Sequence, residues 1–268
     1  MYSLGFLGAG WMGGAILGGV KEHSEDTACL FFDVSESRCK ELKEKYGITP
    51  MESIGAVMDQ TDAAVIAVKP QVYPTVAEEV SAHYREGQLL ISIMAGISMD
   101  DIGKPLPASA KIIRLMPNMA MTVGAGVCLL AANENVTAAE KAHVMALLSP
   151  MGLVKEIPEH LMDAGTAISG SGPAFFYSMV EAMMLGGVQA GFSRNDALTL
   201  TVQTMAGAAV LLEVTGESAG TLRDQMMSAG GTTVEGVATL EQGSFRGDVI
   251  KAVAAACRRS KELSKGDK

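Results

Sequence analysis

The most constraining feature of this chain is Gly8-Ala9-Gly10-Trp11-Met12-Gly13, which follows the apolar run Tyr2 to Leu7 at once and leads into the helical stretch Gly14 to Val20. Glycines at this spacing between a strand and a helix allow a tight turn, close approach of the backbone to a pyrophosphate, and close contact of helix on strand. Free N–H groups at the helix start add attraction for the phosphates. A merely tight strand-to-helix turn would use the same residues. Dinucleotide binding is favoured because the motif heads a half-chain in which strand and helix patterns alternate. Gly8, Gly10, Trp11, Met12 and Gly13 are therefore candidate cofactor contacts.

Strands are expected near 2–8, 28–33, 62–68, 88–94 and 110–116, with further strand character at 124–131 and 151–156. Ser98 with Asp101, and Thr137 with Glu140, have capping-box spacing and mark helix starts. From about residue 160 the alternation gives way to helical patterns with glycine-rich breaks at 169–172, 186–187, 191, 216–220 and 230–231. The expected fold is α/β: an N-terminal Rossmann-type parallel sheet over 1–160, then a C-terminal all-helical dimerisation domain over 161–268. The stretch 196–214 is apolar on nearly every side, through Ala197, Leu198, Leu200, Val202, Met205, Ala208, Leu211 and Leu212. One domain's own core cannot easily cover such a helix, so burial against a second subunit is expected. Ala182, Gly186 and Ala190 form a small-residue ridge at i+4 that lets another helix approach closely. Aromatic residues are only 5% of the chain while 18 are Met, so this core is built from small and pliable side chains.

The formal net charge of −9 argues against nucleic acid or an anionic membrane surface as partner. The N-terminus has neither a basic n-region nor a cleavage-site pattern, so a cytoplasmic protein is expected. Cys29, Cys39, Cys128 and Cys257 never reach a metal-ligand spacing, and His23, His83, His143 and His160 are equally scattered. No metal is expected, and the cysteines read as reduced packing residues. The long apolar stretch Pro173 to Phe192 contains Glu181, Gln189 and three glycines, which favours a buried helix over a membrane span.

Asp33 ends the second strand twenty residues after Gly13, where a carboxylate would bond the ribose hydroxyls of NADH and repel a 2′-phosphate. Ser35 and Arg38 lie just beyond and could serve the 2′-phosphate of NADPH. Asp33 and Ser35 could equally cap the next helix. Both cofactors stay open, with Asp33 favouring NADH. The run Ala63 to Val68 leads into Lys69-Pro70, which puts Ala67, Val68, Lys69 and Pro70 at the carboxyl edge of the sheet, where ligands bind. A solvated loop lysine is the plainer alternative for Lys69. Ser92 to Gly96 and Met116-Pro117-Asn118 end the next strands at the same edge and could form one wall of the crevice.

Ser169-Gly170-Ser171-Gly172-Pro173 reads on spacing alone as a helix-start turn. Ser228-Ala229-Gly230-Gly231-Thr232-Thr233 is another helix start, with three hydroxyls and exposed N–H groups suited to a small carboxylate. At these residues the chain resembles the pyrroline-5-carboxylate reductases, enzymes closing proline biosynthesis. The resemblance runs end to end: Gly5 to Gly10, Ala15 to Gly19, Ala67 to Pro70, Met116 to Asn118, Ser169 to Ala174 and, most specifically, Thr215 to Glu217, Leu222 to Asp224, Gly230 to Thr233, Leu240-Glu241 and Gly243 to Arg246. It departs from the family pattern at Ala229, where a proline is usual, and at Met119-Ala120, where Thr-Pro is usual.

The resemblance implies a Rossmann domain, a helical domain that interlocks two subunits, and a site completed across the dimer by the Gly230 to Thr233 loop. It implies a cyclic imine reduced to L-proline by NADPH or NADH. Ser228, Gly230, Gly231, Thr232 and Thr233 would hold the substrate, with N–H groups on its carboxylate and the Thr233 hydroxyl on the ring nitrogen. A protonated imine is already electrophilic, so the protein mainly has to position it. Two other readings compete: a catalytically silent dinucleotide-binding regulator, and a β-hydroxyacid-type dehydrogenase. The last needs a placed lysine, for which Lys155, Lys251 and Lys261 are the candidates. A homodimer, or a higher oligomer of dimers, is expected.

Overall fold

The computed structural model describes residues 3–24 and 26–264; Tyr2, where the first strand was expected to open, lies outside them. The elements run β1 Ser3–Leu7, α1 Trp11–His23, β2 Ala28–Phe32, α2 Glu36–Tyr46, α3 Ile54–Met58, β3 Ala63–Ile66, α4 Tyr73–His83, β4 Leu89–Ser92, α5 Met99–Gly103 and β5 Lys111–Pro117. They continue with β6 Gly126–Ala132, α6 Ala138–Leu148, β7 Gly152–Glu156, α7 Met162–Gly165, α8 Gly172–Gln189, α9 Arg194–Thr215, α10 Ala219–Gln225, α11 Thr232–Gln242 and α12 Phe245–Ser264. Each expected strand is present within a few residues.

One sheet takes all seven strands in the order β2-β1-β3-β4-β5-β6-β7. Helices cover both of its faces, so the central strands are buried throughout and apolar up to Ser92 at the end of β4. Phe6, Phe31, Val65, Ile91 and Leu115 pack on one face against Ile16, Leu17 and Val20 of α1 and Leu148 of α6. Leu7, Ala64, Ile66 and Leu90 pack on the other against Val57 and Met58 of α3, Val76 and Val80 of α4, and Ile102 of α5. Alternate residues of one strand thus feed opposite layers. The first five strands are parallel, but β6 pairs antiparallel with β5, and β7 parallel with β6. The expected parallel sheet is thus present in its first five strands, with one antiparallel pairing added at β6. Only Asn118 to Ala125 separate β5 from β6, a single 3-10 turn ending at the left-handed Gly124, which is too short for a crossover helix.

Both expected helix starts are capped. Ser98 accepts from the Asp101 N–H at 3.0 Å, and Thr137 with Glu140 forms the reciprocal box.

The chain divides into two compact units, one of residues up to Gly170 together with Ala256 onward, the other Ser171–Ala255. The expected boundary at 160/161 lies ten residues earlier. Met162 and Ala167 are buried in the first unit, and a π-helical turn, Thr166–Gly170, stands where a glycine break was expected. In the second unit the expected break at Gly186-Gly187 is absent, and α8 runs through it. A Cβ on Gly187 would stand 3.0 Å from the Ala197 Cβ, so this glycine serves the close packing of α8 on α9 rather than a chain break. Met184, Ala197 and Thr201 are the buried side chains of this unit. Leu198, Leu200, Val202, Val210, Leu211, Leu212 and Val214 of α9 are exposed within one chain, as the apolar pattern of 196–214 leads one to expect. By length and composition alone α9 is apolar enough to cross a membrane.

Candidate active site

Topology places the site before any side chain is considered. Strand order reverses across β1, with β2 on one side and β3 on the other, so the carboxyl ends of β1 and β3 frame the crevice. The chain fills that edge with Gly8 to Gly13 after β1, Asp33 to Ser35 after β2 and Ala67 to Pro70 after β3.

The three glycines divide their tasks. Gly8 has φ +89°, which L side chains avoid, and donates its N–H to the Phe32 carbonyl at 2.8 Å. A Cβ on Gly13 would lie 2.8 Å from the Ala67 Cβ and 2.9 Å from the Gly8 carbonyl oxygen, so α1 rests on loop and strand end only because this residue lacks one. Gly10 differs, since a Cβ there would meet nothing within 4 Å. Protein packing does not demand a glycine at that position, and the space beside it is open. Gly10 is also the N-cap of α1 and brings no side chain to the N–H groups of the first turn. Open space over uncapped N–H groups fits a pyrophosphate. Trp11, at the head of α1, is 69% exposed, and Met12 is half-buried.

Asp33 turns inward. One carboxylate oxygen accepts the Ala9 N–H at 2.6 Å and the other accepts the Ser35 N–H at 2.8 Å, so Asp33 ties the glycine loop to the start of α2. Ser35 caps α2, accepting the Arg38 N–H at 3.4 Å. Arg38 also points to the loop, through Nε to the Ala9 carbonyl at 2.7 Å. Its direction has no signal in the sequence pattern.

Ala67 sits behind the glycine loop, and Val68 is half-buried beside it. Lys69 is exposed past the end of β3, and its carbonyl accepts the Val72 N–H in the turn that carries Pro70. Asn118 is buried and engaged at both ends of its amide: Nδ2 donates to the Ser169 carbonyl at 2.9 Å and Oδ1 accepts the Val127 N–H at 3.1 Å. It braces the π turn against the end of β5, a role sequence spacing did not reveal. Inserted π turns leave no periodic signal and recur at functional sites.

In the second unit, Gly231 donates its N–H to the Ser228 carbonyl at 3.0 Å across a turn in which Gly230 has φ +67°. A Cβ on Gly231 would run into Ser228 Oγ. Gly231 is the N-cap of α11 with no side-chain cap, and the Thr232 and Thr233 hydroxyls are exposed and make no hydrogen bond among the described residues. A helix N-terminus with open N–H groups and two unengaged hydroxyls can take a carboxylate and one further polar atom.

Burial pushes the Cys29 thiol up to about 11 and the Cys128 thiol up to about 12. Burial, with the Asp33 charge next, raises Cys39 as well. These thiols stay protonated near neutrality and supply no nucleophile. Among the described residues no group of three His, Cys, Asp or Glu could hold a metal ion. Lys251 pairs with Asp248 at 3.2 Å on an exposed face of α12.

Residues 159–263 match the family model for pyrroline-5-carboxylate reductase dimerisation, and residues 3–96 match that for coenzyme F420-dependent NADP oxidoreductases. The chain is 40% identical over 265 residues to the pyrroline-5-carboxylate reductase of Synechocystis, covering 98% of both chains. Its fold is similar to the pyrroline-5-carboxylate reductase of Coxiella burnetii, with a TM-score of 0.91, 33% identity and 97% of each chain covered. It is also similar to the pyrroline carboxylate reductase of Plasmodium falciparum solved with NADP bound, with a TM-score of 0.88, 31% identity and 98% of each chain covered.

Proposed function

The chain belongs to the pyrroline-5-carboxylate reductase family, and from that premise we propose which of its residues carry the reaction. It is an NAD(P)H-dependent oxidoreductase that reduces 1-pyrroline-5-carboxylate to L-proline, the last step of proline biosynthesis. The bound cofactor supplies a hydride for the imine carbon. Everything else falls to the protein, which must hold the substrate, orient it and keep its nitrogen protonated.

The observation that carries the assignment is the start of α11, where Gly231 brings no side-chain cap to the N–H groups and the Thr232 and Thr233 hydroxyls make no hydrogen bond among the described residues. Ser228, Gly230, Gly231 and Thr232 hold the substrate carboxylate against those N–H groups. Thr233 holds the ring nitrogen through its hydroxyl. A hydroxyl is a weak acid, so Thr233 orients first and relays a proton second.

Gly8, Gly10, Gly13 and the first turn of α1, including Trp11 and Met12, hold the pyrophosphate, while Ala67, Val68, Lys69, Pro70 and Asn118 shape the other wall. In the division of labour, 1–160 binds the dinucleotide and 161–268 carries dimerisation and substrate, in keeping with the dimerisation match at 159–263. The partner of the exposed α8 and α9 faces is a second copy, in a homodimer or an oligomer of dimers. No nucleic acid or membrane enters this reading, and four free thiols suit the reducing cytoplasm.

The purified protein should oxidise NAD(P)H with pyrroline-5-carboxylate, oxidise none with a panel of keto acids, and reduce no NAD(P)+ with β-hydroxy acids. Folded protein that turns over no pyrroline-5-carboxylate with either cofactor refutes the assignment.

For cofactor choice, Asp33 acts twice: its charge disfavours a 2′-phosphate, and its hydrogen bonds hold the loop. Asp33→Ser should weaken both cofactors while shifting the kcat/KM ratio toward NADPH. An unchanged ratio with both weakened would leave Asp33 a loop tie alone.

A further inference from the structure

Resting on the dinucleotide reading above, we infer that Arg38 is a positioning residue for the pyrophosphate loop, serving both dinucleotides equally, and is not the contact for a 2′-phosphate. Its side chain leaves α2 and reaches back over α1. Nε donates to the Ala9 carbonyl at 2.7 Å, and the neighbouring Nη2 lies 3.4 Å from the Gly10 carbonyl. One two-donor edge of the guanidinium, Nε with Nη2, is therefore turned onto the loop and is not free to grip a phosphate. The remaining Nη1 is held by Glu41 at 2.6 Å, so a carboxylate already occupies the other end of the guanidinium.

Two further observations point the same way. Asp33 accepts the Ala9 N–H at 2.6 Å, so both polar atoms of that residue are gripped by charged side chains from the β2–α2 segment. Ala9 itself is buried and cannot turn to water instead. A Cβ on Gly14 would collide with the Arg38 guanidinium and stand 3.0 Å from the Ala9 carbonyl oxygen, so the missing side chain at 14 is what lets Arg38 through. Ala9 lies between the first two glycines, immediately before the N-cap of α1. Fixing its peptide planes fixes the direction of the N–H groups that follow, and both dinucleotides share the pyrophosphate those groups meet.

The test is a titration of wild type, Arg38→Met and Arg38→Lys with NADH and with NADPH, read through Trp11, the single tryptophan of the chain. Both variants should raise the Kd for both dinucleotides by the same factor, roughly tenfold for one charge-assisted hydrogen bond. Lysine keeps the charge but cannot span two carbonyls, so it should not rescue. The melting temperature of the unliganded protein should fall by a few degrees in both variants, the cost of the Ala9 carbonyl left unpaired, while the KM for pyrroline-5-carboxylate at saturating cofactor should stay near wild type. Loss of NADPH affinity alone, full rescue by lysine, or no change in either Kd overturns the inference. Folded wild type that binds neither dinucleotide would instead remove the reading on which it rests, a result distinct from any pattern among the variants.

Discussion

Thr233→Val should lower kcat and kcat/KM together by roughly ten- to a hundred-and-fifty-fold, the range of one hydrogen bond to a charged group. If the hydroxyl strengthens its bond to the ring nitrogen as the transition state forms, both constants fall; if it only bound substrate uniformly, KM alone would rise. Valine keeps the β-branched shape and removes only the hydroxyl. Because that hydroxyl is exposed and makes no hydrogen bond among the described residues, its loss should cost the fold of a single chain little. Dinucleotide Kd should stay constant. Steady-state kinetics beside a dinucleotide titration checks both parts, and activity within twofold of wild type would leave Thr233 a helix-start residue with no part in the chemistry.

The second large effect concerns pairing. Val202 and Leu200 of α9 are exposed within one chain, and in an isolated monomer Val202→Glu would change stability by no more than about 0.5 kcal/mol. If a second copy covers α9, the same substitution buries an unpaired carboxylate, which costs several kcal/mol, a large share of a typical total of about 5–15 kcal/mol. The expected result is loss of soluble folded protein rather than release of monomers, because Met184, Ala197 and Thr201 are too few buried side chains to hold residues 171–255 together. Wild type in sedimentation at low micromolar concentration should show no folded 27.9 kDa species. A stable monomer of Val202→Glu, melting as wild type does, would mean that α9 has another role.

Much of this was legible in the sequence because the relevant signals are local. Continuous apolar runs gave β3 and β4, capping-box spacing gave the starts of α5 and α6, and glycine spacing gave the loop after β1. The reversal at β6 was not legible, because strand direction depends on whether the link has room for a helix, and 118–125 resembles any other turn. Gly186-Gly187 misled because glycine lowers helix propensity by only about 1 kcal/mol, which close packing against Ala197 outweighs. The glycine turn at Gly8, Gly10 and Gly13 and the turn into α11 at Gly230 to Thr233 could be named in advance. What Asp33, Arg38 and Asn118 do could not, because each makes a deciding contact with a residue at least 9 positions away, Asp33 and Arg38 on Ala9 and Asn118 on Val127.

We propose, as the family resemblance implies, that the reductase site is assembled from the glycine loop of one copy and the Gly230 to Thr233 segment of another. The most direct test is complementation between two crippled chains. Gly10→Asp fills the open space meant for the pyrophosphate with a negative charge while keeping a good N-cap residue and meeting no neighbour. Thr233→Val disables the other half. Co-expressed with different tags and isolated as the mixed dimer, the pair should regain about half of wild-type pyrroline-5-carboxylate reductase activity, because a two-fold assembly then contains one site with both halves intact. Activity no higher than the mean of the two parent variants would contradict the claim and place the whole site within one chain.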